Sequence, residues 1–176
     1  MARLPYVDAT ELSPEVADLL DRVPPLRIFR MVAHAETCLR PFMRFGSAIL
    51  TEQALDAMLR ELAILRVADL SGAEYEWVQH VPIARTAGVT DAQIDALQAG
   101  DTTAACFDEL ERLVLEFTTE VVHEVRASDA TLESLTAHLP TRHVVELTLA
   151  IGYYMLVARV LETTGVDLDP PLDPRR

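Results

Sequence analysis

Residues 60–88, RELAILRVADLSGAEYEWVQHVPIARTAG, read as two helices broken at Ser71-Gly72, and they concentrate more chemistry than the rest of the chain. Glu76 and His80 stand four residues apart on the second helix. At about 100° per residue they share one face, with Cβ atoms roughly 5–6 Å apart. Ala73, Ile83, Ala84 and Ala87 lie on that face and are small or apolar, so the acid and the imidazole are expected to point inward. Glu61 shares its own helix face with Met58, Leu65 and Ala68, and is expected to do the same. Two carboxylates and a histidine converging in an apolar setting supply the groups of general acid–base catalysis. A Glu–His pair at this spacing also serves as a local, partly solvated contact, and spacing alone does not separate the two.

Outward from this core, either Thr51 or Asp56 is placed to cap the Glu61 helix. Pro82 removes a backbone donor from the His80 helix, which predicts a weakened bond to the Val78 carbonyl and a kink near the histidine. Gly88 closes that helix, and Thr90-x-x-Gln93 resembles a capping box for the next, which Gly100 ends. A long helix is expected over about residues 103–125, a short one from Ser128 to before Pro140, and a final one over about 141–163. The last is apolar almost all round, the pattern of a helix buried against other helices or another subunit.

On the N-terminal side, about residues 1–12 read as an extended arm. Ser13-Pro14 starts a helix, Pro24-Pro25 stops it, and two further helical stretches are expected over about 26–34 and 40–49, the latter with Pro41 near its start. A proline-rich tail over about residues 167–176 is expected to wrap a surface or stay mobile. The 176 residues suit a single all-α domain of six to eight helices.

Composition excludes several classes of function. A net charge of −13 disfavours nucleic acid and anionic membrane as partners. The chain has no lysine, which excludes a Schiff-base mechanism, a lysine-held pyridoxal phosphate and a Walker-type phosphate loop. Cys38 and Cys106 are far apart in sequence, fit no metal or redox spacing, and are expected to be buried in a reducing compartment. With neither a signal pattern nor an uncharged run of membrane-spanning length, a cytoplasmic protein is expected.

Four stretches carry a family likeness: Pro-Pro-Leu-Arg-Ile-Phe-Arg from Pro24, Leu-Arg-Glu-Leu-Ala-Ile-Leu-Arg-Val-Ala from Leu59, Glu-Tyr-Glu-Trp-x-x-His from Glu74, and Glu-Leu-x-x-x-Ile-Gly-Tyr-Tyr from Glu146. In this order they resemble the carboxymuconolactone decarboxylase family of the alkylhydroperoxidase D-like group, over roughly residues 12–166. The family's peroxidase branch has a Glu, then Cys-x-x-Cys, then a His. Glu61 and His80 match the first and last, whereas Ala73 and Glu76 stand at the two thiol positions. A peroxidase of that kind needs a thiolate, so the substitutions argue against that activity.

The resemblance implies an alkylhydroperoxidase D-like helical bundle, a small-molecule substrate, no cofactor and a homo-oligomer, trimeric or hexameric. It points mildly to decarboxylation of a small cyclic or lactone acid. Isomerisation, cyclisation or hydration by the same proton transfers, and a non-catalytic binding oligomer, stay open. The expected catalytic unit is Glu61, Glu76 and His80, with His80 and Glu76 in direct reach and Glu61 across the helix pair. Tyr75, Trp77, His34 and Tyr154 are expected to contact substrate; Arg66 or Arg85 is able to hold a substrate carboxylate, but helical spacing puts neither firmly on the pocket face. No metal site is expected, although two carboxylates and an imidazole are able to ligate a divalent ion.

Overall fold

A computed structural model of the protein describes residues 1–170, and among these every regular element is helical. Nine α-helices follow a 3-10 turn at Ala9–Glu11: α1 Pro14–Asp21, α2 Arg27–Val32, α3 Glu36–Thr51, α4 Ala57–Ser71, α5 Glu74–Ala87, α6 Asp91–Gln98, α7 Glu109–Glu124, α8 Asp129–His138 and α9 Thr141–Thr164. The count exceeds the six to eight expected for the domain, although it agrees with the nine separate stretches read along the sequence, including the break at Pro24-Pro25 between α1 and α2.

The centre of the fold is α4. Every residue from Leu59 to Ala68 is buried, as happens when neighbours pack on all sides of one helix. Those neighbours are α5, α7 and α9. Asp56, and not Thr51, caps α4 by accepting from the Met58 and Leu59 amides. Gly72 ends it at φ 61°, a left-handed conformation that costs glycine nothing and lets the chain reverse within two residues. The Ala73 amide then bonds to the Ala68 carbonyl, His80 meets Glu61, and Met58 lies beside Gly88, so α5 runs antiparallel along α4. It continues through Pro82 as one element.

Two boundaries differ from expectation. Helix α3 begins at Glu36 and carries Pro41 inside it. Helix α7 begins only at Glu109, because Asp108 and Glu111 form a capping box there, while Asp101 folds the preceding loop by accepting from Thr103. Neither cysteine is buried: Cys38 is exposed on the first turn of α3 and Cys106 is half-buried before α7.

Helix α9 is long and apolar enough to cross a membrane by length and composition, but half of its most apolar stretch is buried against other helices. Leu147, Ala150, Ile151, Tyr154, Val157 and Leu161 belong to the main core with α4, α7 and α8. The opposite edge is exposed: Val145, Leu149 and Leu156 meet solvent, so the all-round burial expected for this helix holds for only part of its circumference. Beyond α9 the chain turns at Gly165, and the arm returns to it, with the Arg3 amide bonded to the Thr164 carbonyl at 2.8 Å. Residues 171–176 of the expected tail lie outside the described residues.

One glycine sets how closely α3 and α9 approach. The Tyr153 ring of α9 lies directly on Gly46 of α3, and its hydroxyl donates to the Phe42 carbonyl at 3.0 Å. A Cβ at position 46 would stand 2.5 Å from Tyr153 Oη. Alanine is favoured over glycine inside a helix by about 1 kcal/mol. Gly46→Ala is nevertheless expected to lower the melting temperature, and Tyr153→Leu in the same chain to recover part of the loss. A Gly46→Ala variant at least as stable as wild type contradicts this packing.

Candidate active site

Between α2, α3, α5 and α9 lies a cavity of about 470 Å³, lined mainly by apolar side chains such as Ile28, Phe29, Phe42, Leu50, Ile83 and Val157. A volume of this size suits a small ring compound. The polar groups that reach it come chiefly from one face of α5 and from the tyrosine pair of α9: Tyr75, Glu76, Gln79, His80, Tyr153 and Tyr154.

His80 is buried, and its position is fixed from behind. Its Nδ1 lies 2.8 Å from Oε2 of Glu61, which has no exposed surface. The other Glu61 oxygen accepts from Arg60 Nε at 3.2 Å. Because the guanidinium donates only, Oε1 of Glu61 serves as acceptor there. A hydrogen on Nδ1 completes the pair and leaves Nε2, which has no protein partner among the described residues. Tyr154 holds the ring edge-on, with centroids 4.7 Å apart and planes at 85°. Glu61 itself does not line the cavity; it backs the histidine that does.

Glu76 is in the opposite condition. It is 1 % exposed, and neither carboxylate oxygen has a hydrogen-bond partner among the described residues. An ionised carboxylate without donors is costly in such a place. Burial, reinforced by the charge of Glu162, therefore pushes Glu76 well above the ordinary carboxylate range. Burial also raises Tyr153, with the neighbouring Glu76 carboxyl adding to the effect, and raises Tyr154.

The expected direct contact between His80 and Glu76 is not present. Although the two side chains share a face of α5, the imidazole turns toward Glu61 on α4, while the carboxyl sits near Tyr153. The acid and the histidine thus border one cavity through different supports.

Of the four residues expected to contact substrate, Tyr75 and Tyr154 line the cavity. Trp77 does not: one residue on from Glu76 it is rotated by about 100°, and it packs on the α4–α6 side. His34 does not either; it bonds to the Pro5 carbonyl at 2.9 Å in a separate groove beyond Phe42 and Tyr153. Arg66 is tied to Asp69 and Thr119, and Arg85 to Asp91. Among the described residues no arginine lines the cavity. Sequence reasoning did not find Arg60 or Gln79. Arg60 had no signal, because the residue next to an inward Glu normally projects elsewhere. Gln79 had a weak one, as a polar residue beside His80 on an otherwise inward-facing helix.

Residues 37–120, from α3 into α7, match the carboxymuconolactone decarboxylase family. The all-α bundle as a whole has an alkylhydroperoxidase D-like fold, as solved structures show. Among solved structures, an uncharacterized peroxidase-related protein from Ralstonia eutropha JMP134, described as an alkylhydroperoxidase AhpD core, is similar at 19 % identity with a TM-score of 0.79, covering 96 % of this chain and 92 % of that one. A peroxidase-related protein from Silicibacter sp. TM1040 is similar at 19 % identity and TM-score 0.76, with the same coverage. A debrominase, also solved in complex with 2,3,4-tribromopyrrole, is similar in its apo form at 14 % identity and TM-score 0.73, covering 93 % of this chain and 90 % of that one. At these identities the likeness concerns the fold alone. A comparison with curated proteins finds no match.

The raised pKa of Glu76 has a definite sign in stability. The folded protein holds this proton at pH values where the unfolded carboxyl, with an ordinary value of 4.5, has lost it. The stabilising contribution is complete below that value and is lost as pH rises toward the folded one, at up to about 1.4 kcal/mol per pH unit. Stability of Glu76→Gln relative to wild type is therefore expected to increase from mildly acidic to mildly alkaline buffer. Thermal melts showing a difference independent of pH contradict a protonated Glu76.

Proposed function

We propose that this protein is a cofactor-independent enzyme that moves protons on a small ring acid, with decarboxylation as the preferred reaction. The observation that carries the proposal is the Glu76 carboxyl: buried at the cavity wall, without a hydrogen-bond partner among the described residues, and pushed by burial toward its protonated form. A group of this kind is expensive to keep and is suited to giving a proton or a hydrogen bond. His80, with Nδ1 committed to Glu61, brings its other nitrogen to the same cavity as a second proton-transfer group.

In a decarboxylation, the bond between ring carbon and carboxylate breaks, CO₂ leaves, and the electron pair flows into a conjugated carbonyl. The enolate oxygen that forms takes a hydrogen bond from Glu76 or from His80. The carbon then takes a proton from Glu76, which is restored from water. Family likeness at residues 37–120 favours this reaction over isomerisation, cyclisation or hydration, all of which use the same two groups. Ala73 and Glu76 at the positions where the resemblance places thiols argue against a thiol peroxidase.

Assembly belongs to the same reading. The exposed apolar edge of α9, with Val145, Leu149 and Leu156, supports a homo-oligomer in which a second copy covers it. Light scattering at micromolar concentration is expected to give a trimer or hexamer, and Leu149→Glu to shift it toward smaller species. A wild-type monomer contradicts the assembly.

For the chemistry, His80→Ala is expected to lower kcat by roughly 10²–10⁴ on a ring acid that the protein turns over. Glu76→Gln keeps the shape and removes the transferable proton, so it is expected to lower kcat far more than it changes KM. The two losses are expected to be less than additive when combined, as for groups that act together. Near wild-type turnover by both single variants, each correctly folded, refutes the assignment.

A further inference from the structure

Among the described residues no arginine lines the cavity, yet two of its lining side chains, Tyr75 and Gln79, already hold a carboxylate, and that carboxylate belongs to the chain itself. After α9, residues 166–170 cross to the N-terminal end of α2 and bring Asp169 against the cavity wall. Oδ1 of Asp169 accepts from the Arg27 backbone amide at 2.9 Å. Oδ2 accepts from the Tyr75 hydroxyl and from Gln79 Nε2, the latter at 3.2 Å. The preceding residue is held as well, with the Leu168 carbonyl accepting from the Arg27 guanidinium at 2.5 Å. Tyr75 and Gln79 are cavity-lining residues on the helix that carries Glu76 and His80. Gln79 immediately precedes His80, and Tyr75 immediately precedes Glu76.

We propose that Tyr75, Gln79 and the Arg27 amide form the carboxylate-binding subsite of the cavity, occupied in the free protein by Asp169, and that an incoming ring carboxylate displaces this aspartate and takes its place. The inference rests on the reading of the cavity as a site for a ring acid, and it names how that acid is held.

Three features support it. The donor set converges from two elements, α2 and α5, on both oxygens of a single carboxylate, which is the geometry of recognition and not of an isolated contact. Among the described residues Asp169 is held by these three donors, and it sits on the chain that follows α9 and not within a helix, so displacing it does not break an element of the core. Displacement of the segment also frees from the Leu168 carbonyl the guanidinium of Arg27, the residue whose amide Asp169 now occupies. An anchored acid then has its ring in the apolar cavity, beside Glu76 and His80. Because the competitor is tethered, its effective concentration is high, and an acid binds the free protein more weakly than the bare subsite.

Benzoate is the probe, with benzamide as its uncharged counterpart, and calorimetry or ligand-observed NMR gives the dissociation constants. Asp169→Ala is expected to tighten benzoate by about tenfold, the scale of removing a tethered competitor, and to leave benzamide within about twofold. Adding Tyr75→Phe and Gln79→Leu to Asp169→Ala is expected to abolish the gain. Unchanged or weaker benzoate binding by Asp169→Ala overturns the proposal, as does a gain that persists without Tyr75 and Gln79 or one shared equally by benzamide. Hydrogen exchange on the wild-type protein tests it without any substitution. Benzoate is expected to speed exchange in the segment around residues 166–170, and no change at saturation refutes displacement. These readouts involve no turnover, so their failure leaves the proton-transfer reading standing, and inactive His80 or Glu76 variants leave the subsite standing.

Discussion

The contact between Glu61 and His80 joins the two helices on which everything else is built. Glu61 has no exposed surface, and its two oxygens are engaged by Arg60 on its own helix and by His80 on the next. A charge this deep is tolerated only when its partners are in place; taking one partner away from a buried pair typically costs about 3–5 kcal/mol. That requirement explains the surroundings. The α4 helix is enclosed on all sides, Gly72 turns the chain back within two residues, and α5 is held at the register that brings ring to carboxylate. The same contact fixes the tilt and tautomer of the imidazole, so that the nitrogen left over is the one beside the cavity.

Glu76 shows what the fold does with a second carboxyl when it offers nothing to pair with it. Only one turn separates it from His80, yet among the described residues no donor reaches it, and burial raises it well above the ordinary carboxylate range. The two acids of the site are thus driven apart in character by their settings: one is an acceptor locked to a cation and an imidazole, the other a proton carrier at the cavity wall. In the proposed reaction Glu61 positions and Glu76 reacts. Tyr153 completes the wall only because Gly46 lets its ring lie on the backbone of α3. The apolar core and the reactive cavity therefore share one tyrosine pair.

Much of this was legible in the residues. The helix periodicity, the break at Ser71-Gly72, the capping box at Thr90 and Gln93, and the inward aim of Glu61, Glu76 and His80 all follow from local spacing, and the structure has each of them. Spacing on one helix does not say which neighbouring helix a side chain will meet. Hence the Glu76–His80 contact was expected and the Glu61–His80 contact formed. Trp77 and His34 were expected at the site for their chemistry, but the helix turn carries one to the α6 side and the other to a different groove. The start of α7 was misplaced because Thr103 and the residues after it have helical composition, while the capping box at Asp108 sets the true beginning. Asp169 gave no local sign: it stands in a proline-rich tail, and its meaning comes from contacts 90 residues or more away in sequence.

The central claim is that Glu76 is a neutral acid in the folded protein, and infrared spectroscopy observes this directly. At near-neutral pH the wild type is expected to show the carbonyl stretch of a protonated, weakly hydrogen-bonded carboxylic acid, a band absent from Glu76→Gln and shifted when a ring compound fills the cavity. A wild-type spectrum at that pH with no such band, or one identical to that of Glu76→Gln, contradicts the account.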